Sequence, residues 1–196
     1  MKKVYITNGS AENGKDTFAE FLAKYISVFK YSSIDLVKEM FEVVGVSKEN
    51  KTDKKRILWS DGKDLLTKYD DIPFKDIASI VADFKNDKIE TEVLLIDIRE
   101  PEEIARAVEI FGAETILVRN PNTGKIESNH ADRDVENYEY DYIIENNGTL
   151  EQLESITRRF MDEVILCKKN SGSLQVIYNP QTKKTTKVFT ANEILR

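Results

Sequence analysis

Histidine, cysteine and tryptophan occur once each in 196 residues, and proline four times. The single thiol, Cys167, closes no internal disulfide and builds no thiolate zinc cluster, which excludes a disulfide-stapled scaffold and fits a reducing cytoplasm. The single histidine, His130, has no second histidine or cysteine close in sequence, so no zinc site is expected. No apolar run approaches the ~20 residues needed to cross a bilayer. Two N-terminal lysines are followed by a strand pattern rather than a cleavable apolar segment, so neither a membrane span nor a signal peptide is expected. Positive charge is in deficit, with 29 Lys and Arg against 35 Asp and Glu and a net charge of -6. An acidic surface argues against nonspecific binding to polymeric nucleic acid, although a phosphate site needs only local positive charge. No internal repeat occurs, and no Asn-Lys-x-Asp motif that would read guanine. The chain is 40% hydrophobic and 33% charged, the balance of a folded globular protein with one sizeable core or one domain with a small appendage.

Along the chain, apolar patterns of strand and helix period alternate. Lys3 to Thr7 reads as a short strand, followed by a glycine-bounded loop. Phe18, Phe21, Leu22, Tyr25, Ile26 and Phe29 then recur at helical spacing. Residues 29–33 suit a second strand, and Leu36 to Val44 a helix ending near Gly45. After a polar connection, a helix from about Asp53 to Tyr69 is expected to bury Leu58, Leu65, Leu66 and Tyr69. Another, opened by Pro73, buries Phe74, Ile77, Ile80, Val81 and Phe84. Val93 to Ile96 is an uninterrupted apolar run, as expected of a parallel strand covered on both faces, and it ends at Asp97. Glu102 to Phe111 is a helix stopped by Gly112, Thr115 to Val118 a strand, and residues 120–137 a polar loop. Tyr142 to Ile144 is a fifth strand, and Thr149 with Gln152 forms the capping box of a last long helix. Leu174 to Tyr178 and Thr185 to Thr190 flank Asn179-Pro180 as a C-terminal hairpin. The expected organisation is therefore a core over residues 1–168 and a hairpin extension of the same domain over 169–196. The hairpin either presents an edge strand to a second copy in a homodimer or covers the sheet. Strands alternating with helices imply a three-layer α/β fold with a mostly parallel sheet, whose ligands sit at the carboxyl ends of the strands. Gly9, Asp35, Asp97 and Arg119 all fall at or just past such ends.

Gly9-Ser10-Ala11-Glu12-Asn13-Gly14-Lys15-Asp16-Thr17 has the G-x4-G-K spacing of a Walker A phosphate loop, placed between a strand and an amphipathic helix. The glycines let several backbone N–H groups face one oxyanion, and the following helix points its free N–H groups and positive dipole end at the same place. Lys15 brings a point charge to the β- and γ-phosphates. The usual next residue is Ser or Thr, which binds magnesium. Here it is Asp16, still a hard oxygen ligand, with Thr17 one place later. These residues are read as a site for ATP with Mg2+, in which Asp16 and Asp97 are the candidate metal ligands.

Each further candidate has a plain structural alternative. Asp97 orients water around magnesium or caps the helix near Pro101. Arg99 holds a phosphate or pairs with Glu102 or Glu103. Asp35 accepts a proton from, or orients, a phosphate acceptor, or else caps a helix, and Lys38 lies one turn on. The loop carrying Arg119, Lys125, His130 and Arg133 is basic against an acidic background. Arg119 and Arg133 are the candidates to close over a transferred phosphoryl group. Cys167 and Trp59 are assigned to packing.

The Gly14-Lys15-Asp16-Thr17 ending resembles the deoxynucleoside monophosphate kinases of phages and bacteria, within the P-loop nucleoside monophosphate kinase-like fold. Ser33 to Lys38, Asp97-Ile98-Arg99 and Tyr142 to Leu150 echo them, over roughly residues 1 to 165. The resemblance implies a five-stranded parallel sheet of order 2-3-1-4-5, ATP and magnesium, and transfer of the γ-phosphoryl group to a nucleotide monophosphate. It places Lys15 on the phosphates, Asp35 and Lys38 on the acceptor side, and Arg99 facing the acceptor phosphate. No arginine-rich lid with clustered spacing is present and the hairpin is additional, which leaves the acceptor open. A dephospho-coenzyme A kinase is similar in outline, and a nucleotide-binding regulatory protein without efficient transfer is the non-catalytic alternative.

Overall fold

The computed structural model describes residues 2–123, 135–168 and 174–191. β1 (Lys3–Asn8), β2 (Val28–Ser32), β3 (Val93–Asp97), β4 (Glu114–Arg119) and β5 (Tyr142–Glu145) are mutually parallel in the order 2-3-1-4-5. The helices α1 (Lys15–Ala23), α2 (Asp35–Val43), α3 (Asp53–Asp70), α4 (Ile72–Lys85), α5 (Pro101–Phe111) and α6 (Leu150–Phe160) connect or follow them. The sheet is wider than the expected five strands. β7 (Lys184–Phe189) pairs parallel with β5, and β6 (Gln175–Asn179) pairs antiparallel with β7, giving seven strands in one sheet. The hairpin thus extends the sheet edge rather than covering its face.

The apolar run of β3 is explained by its central position. Val93 and Leu95 face a core shared with α1 and α6, and Leu94 and Ile96 face a second core shared with α4 and α5. Phe160 sits at the middle of the first core, in edge-to-face contact with Tyr5, Phe18, Tyr142 and Phe189. The capping box of α6 is formed: Thr149 Oγ1 accepts from the Gln152 amide at 3.3 Å, and Gln152 Oε1 accepts from the Thr149 amide at 2.8 Å. A π-helical turn, Met161–Ile165, continues that helix.

Two expectations about side chains fail. α3 does not bury Leu58, Leu65 and Tyr69; Leu65 is 68% and Tyr69 81% exposed, and its buried residues are Trp59 and Lys63. The helix packs through Gly62 against Val37 and Phe41 of α2, where an added Cβ would lie 2.7 Å from the Phe41 ring. The covered side of α3 is the one that carries Trp59 and Lys63, and Leu65 and Tyr69 lie outside it. Cys167 is exposed in a left-handed turn after α6, its Sγ donating to the Val164 carbonyl at 3.7 Å, rather than packed in the core.

Candidate functional site

Strand register assembles the site. Ser32, Asp97 and Thr7 lie side by side at the carboxyl ends of β2, β3 and β1. Directly above them the chain leaves β1 at Asn8 and turns into α1. A cavity of about 570 Å³ opens there, lined by the loop, by Asp97 and Arg99, and by α2 and α3.

Close approaches enforce the loop's shape. A Cβ at Gly9 would lie 2.5 Å from the Val118 carbonyl oxygen, and one at Gly14 would lie 2.5 Å from Asn146 Nδ2. Gly14 is also left-handed (φ 89°), as is Glu12 (φ 66°), a conformation a non-glycine residue adopts at a cost. Side chains fix the loop from outside. Asn146 Nδ2 donates to the Asn13 carbonyl at 3.1 Å, Thr123 Oγ1 donates to Asn13 Oδ1 at 2.9 Å, and Asn8 Oδ1 accepts from the Gly9 amide at 2.8 Å. Asn8 Nδ2 in turn donates to the Tyr140 hydroxyl at 2.7 Å and the Arg99 carbonyl at 3.2 Å. The amides themselves are left available. Between Ser10 and Thr17, only Asn13 N–H is spent on an oxygen among the described residues, the Ser10 carbonyl at 3.3 Å. No side chain caps α1. A row of unspent donors at a helix N-terminus is an anion site.

The charged side chains form a closed network. Lys15 donates to Asp97 Oδ2, and Asp97 Oδ1 accepts from the Thr7 hydroxyl. Asp97 is therefore committed to Lys15 and does not cap α5, whose N-cap is Glu100. Burial pulls the Lys15 ammonium below its ordinary range despite the opposing pull of Asp97. Asp16 stands beside them, held by Lys30. Burial opposes its ionisation, but the Lys30 and Lys15 ammonium groups outweigh it and keep the carboxyl below the usual range.

On the opposite wall, Asp35 opens α2 and accepts from the Ser32 amide at 2.9 Å and from Lys38 Nζ at 2.7 Å. It serves the local turn and lines the cavity at once. Arg99 lines the cavity as well. Arg119 does not: its guanidinium donates to Glu145 Oε1 at the end of β5, outside the cavity wall. Arg133, with Lys125 and His130, lies outside the described residues. Sequence reasoning missed Lys30, Lys51, Arg56 and Lys63, and for Trp59 preferred core packing to stacking on a base. Arg56, Trp59, Ser60 and Lys63 follow one helical face of α3, and all line the cavity. Lys63 is buried between Glu100 Oε2 (2.9 Å) and Glu103 Oε2 (2.7 Å), which ties α3 to the start of α5. The cavity wall carries seven lysines and arginines against five carboxylates, in a chain whose net charge is -6.

The donor set suits magnesium. Asp16 and Asp97 offer hard oxygens, and among the described residues no three His, Cys, Asp or Glu side chains converge to hold a metal unaided. Magnesium takes one or two carboxylates and completes its shell with water and substrate phosphate. No helix among the described residues is long and apolar enough to cross a membrane.

No family model matches the chain. No curated protein matches it. Among solved structures it is similar to a shikimate kinase from Aquifex aeolicus vf5 (14% identity, 83% of this chain and 98% of the other, TM-score 0.48). It is also similar to a sugar kinase from Janibacter sp. HTCC2649 (11% identity, 87% and 100%, TM-score 0.46). A third similar structure is TT1252 from Thermus thermophilus (15% identity, 83% and 98%, TM-score 0.41).

Proposed function

We propose that the chain is an ATP-dependent phosphotransferase that moves the γ-phosphoryl group of ATP to a small anionic acceptor of the nucleotide monophosphate class. The observation that carries this is the set of amides between Ser10 and Thr17, unspent among the described residues apart from that of Asn13, with Lys15 at the head of α1. Such a cradle offers several N–H groups and one ammonium to the oxygens of one polyphosphate, which matches a triphosphate better than a single carboxylate.

The roles of the residues follow from their places. Lys15 exchanges Asp97 for the β- and γ-phosphates, relieving the cost of its burial against a stronger anion. Asp97, released from it and still oriented by the Thr7 hydroxyl, turns an oxygen toward the phosphates, with Asp16 beside it. These two carboxylates would hold the magnesium ion, which when bound neutralises phosphate charge and aligns the γ-group. The acceptor fills the other half of the cavity, where Asp35 and Lys38 orient it and Arg56 and Arg99 supply charge for its phosphate. Transfer between two phosphates needs little proton chemistry, so positioning and charge do most of the work.

The test is calorimetry with ATP-magnesium, followed by a coupled assay of ATP consumption over deoxy- and ribonucleoside monophosphates. Binding in the micromolar range and turnover raised by one acceptor class are expected. ATP binding with no acceptor-stimulated turnover over the panel rejects the transferase assignment, and absence of ATP binding rejects the site.

A further inference from the structure

Lys30 is the one lysine within β2, an edge strand, and it stands on the face where Val28, two residues earlier, packs into the core with α1. Its side chain therefore reaches along the sheet toward α1 instead of out to solvent, and two-thirds of it is covered. The ammonium group lands between the two carboxylates of the phosphate site. It donates to Asp16 Oδ1 and lies 3.3 Å from Asp97 Oδ2. Lys15 binds the same Asp97 oxygen and lies 4.0 Å from the same Asp16 oxygen.

Two ammonium groups sharing one oxygen repel each other, and the arrangement holds because two carboxylates face them. Had position 16 carried the usual hydroxyl, the cluster would hold one carboxylate and two cations. The carboxylate at 16 and the lysine at 30 thus belong together: each removes the charge the other introduces. The two carboxylates spanned by Lys30 are also the pair whose oxygens suit a divalent cation.

We infer that Lys30 occupies, in the nucleotide-free protein, the position between Asp16 and Asp97 that a divalent cation takes when nucleotide binds, and that its displaced ammonium then serves the transferred phosphoryl group. The second half rests on the phosphotransferase reading; the first half does not. Displacement is physically reasonable because a lysine ammonium is a point charge on a flexible four-carbon stem, and an arriving polyphosphate offers it a denser anion than either carboxylate.

The experiment titrates the nucleotide-free chain with Mn2+ alone and reads the bound fraction by electron paramagnetic resonance. Wild type is expected to bind weakly. Lys30→Met frees Asp16 and leaves Asp97 with Lys15 and Thr7 alone, and Mn2+ affinity should rise at least tenfold, whereas Lys30→Arg should stay near wild type. Adding Asp16→Asn to Lys30→Met should cancel the gain. Circular dichroism melts confirm folding, and Lys30→Gln provides a second neutral variant if the methionine form is unstable. Unchanged Mn2+ affinity in both neutral variants overturns the inference, as does a gain that survives Asp16→Asn. With ATP and an active acceptor present, Lys30→Met should bind the nucleotide but turn over at least tenfold more slowly. Wild-type turnover in that variant overturns the second half. If wild type transfers to no acceptor, the phosphotransferase reading and that second half fall together, and the Mn2+ result decides the first half by itself.

Discussion

The two walls of the cavity are built on opposite plans. The phosphate loop presents backbone: free amides, two glycines held by close approaches, and side chains such as Asn13 and Asn146 spent on fixing the turn. The α3 wall presents side chains from one helical face, Arg56, Trp59, Ser60 and Lys63, with a buried lysine braced by two glutamates. Backbone donors are the same in every sequence, so the first wall suits a ligand part common to many molecules, a polyphosphate. Side chains differ from protein to protein, so on the proposed phosphotransferase reading the second wall is where discrimination between acceptors would reside. The Trp59 indole N–H, buried and without a hydrogen-bond partner among the described residues, belongs to this second wall.

The largest effect separating the walls is expected at Lys15. Lys15→Ala removes the side-chain cation that α1 itself supplies at its head, and ATP-magnesium affinity should fall by about 2–4 kcal/mol, the scale of a lost charged contact in a partly dry site. Acceptor binding measured without ATP should change little. Calorimetry with each ligand separately checks both statements. Equal losses for both ligands would show that the cavity is one undivided site.

The same contrast governs what the sequence makes legible. The loop is readable because its signal is local: glycine spacing, a strand before it and a helix after it. The alternating pattern gives a mostly parallel sheet, and the order of its first five strands is what the resemblance implies. α3 is misread because helical periodicity reports a stripe without reporting which side is covered. Leu58, Leu65 and Tyr69 share a stripe, but the covered side of the helix is the neighbouring one that carries Trp59 and Lys63. Lys63 is invisible for a related reason. A lysine in a helix ordinarily reads as solvated, and only Glu100 and Glu103, about forty residues on, make its burial tolerable. Lys30 carried a faint signal, a charge inside an otherwise apolar and aromatic strand. Arg119 sits at a strand end as expected, yet Glu145 on the neighbouring strand takes its guanidinium.

A smaller effect sharpens the contrast through pH. Burial and the neighbouring Glu100 push the Glu103 carboxyl up to about 7, while Lys63 draws Glu100 down. Folded Glu103 therefore holds its proton more firmly than the unfolded chain, whose ordinary value is 4.5. The stability this contributes is complete below about pH 4.5 and is lost as pH rises through about 7. Glu100 has the opposite sign, and its contribution is already complete at neutral pH. Urea melts should thus show stability falling between about pH 4.5 and 7, by at most about 1.4 kcal/mol per pH unit for one proton, and levelling off above that. Glu103→Gln keeps the shape of the protonated acid and should flatten that slope. A slope unchanged in the variant would mean that the brace of α3 is ionised throughout.

The smallest effect concerns the outward stripe of α3. If Leu65 and Tyr69 were packed as helical periodicity suggests, truncating either would cost about 2–5 kcal/mol. At 68% and 81% exposure they leave no cavity when shortened. Leu65→Ser and Tyr69→Ser should each lie within about 0.5 kcal/mol of the parent, mostly the lower helix propensity of serine. Melting with and without ATP-magnesium should show the same ligand-induced rise in Tm for parent and variants, because neither residue touches the cavity. A loss above about 2 kcal/mol would mean that α3 is docked through its apolar stripe. Arg56 and Lys63 would then point to solvent, and the acceptor wall described above would not exist.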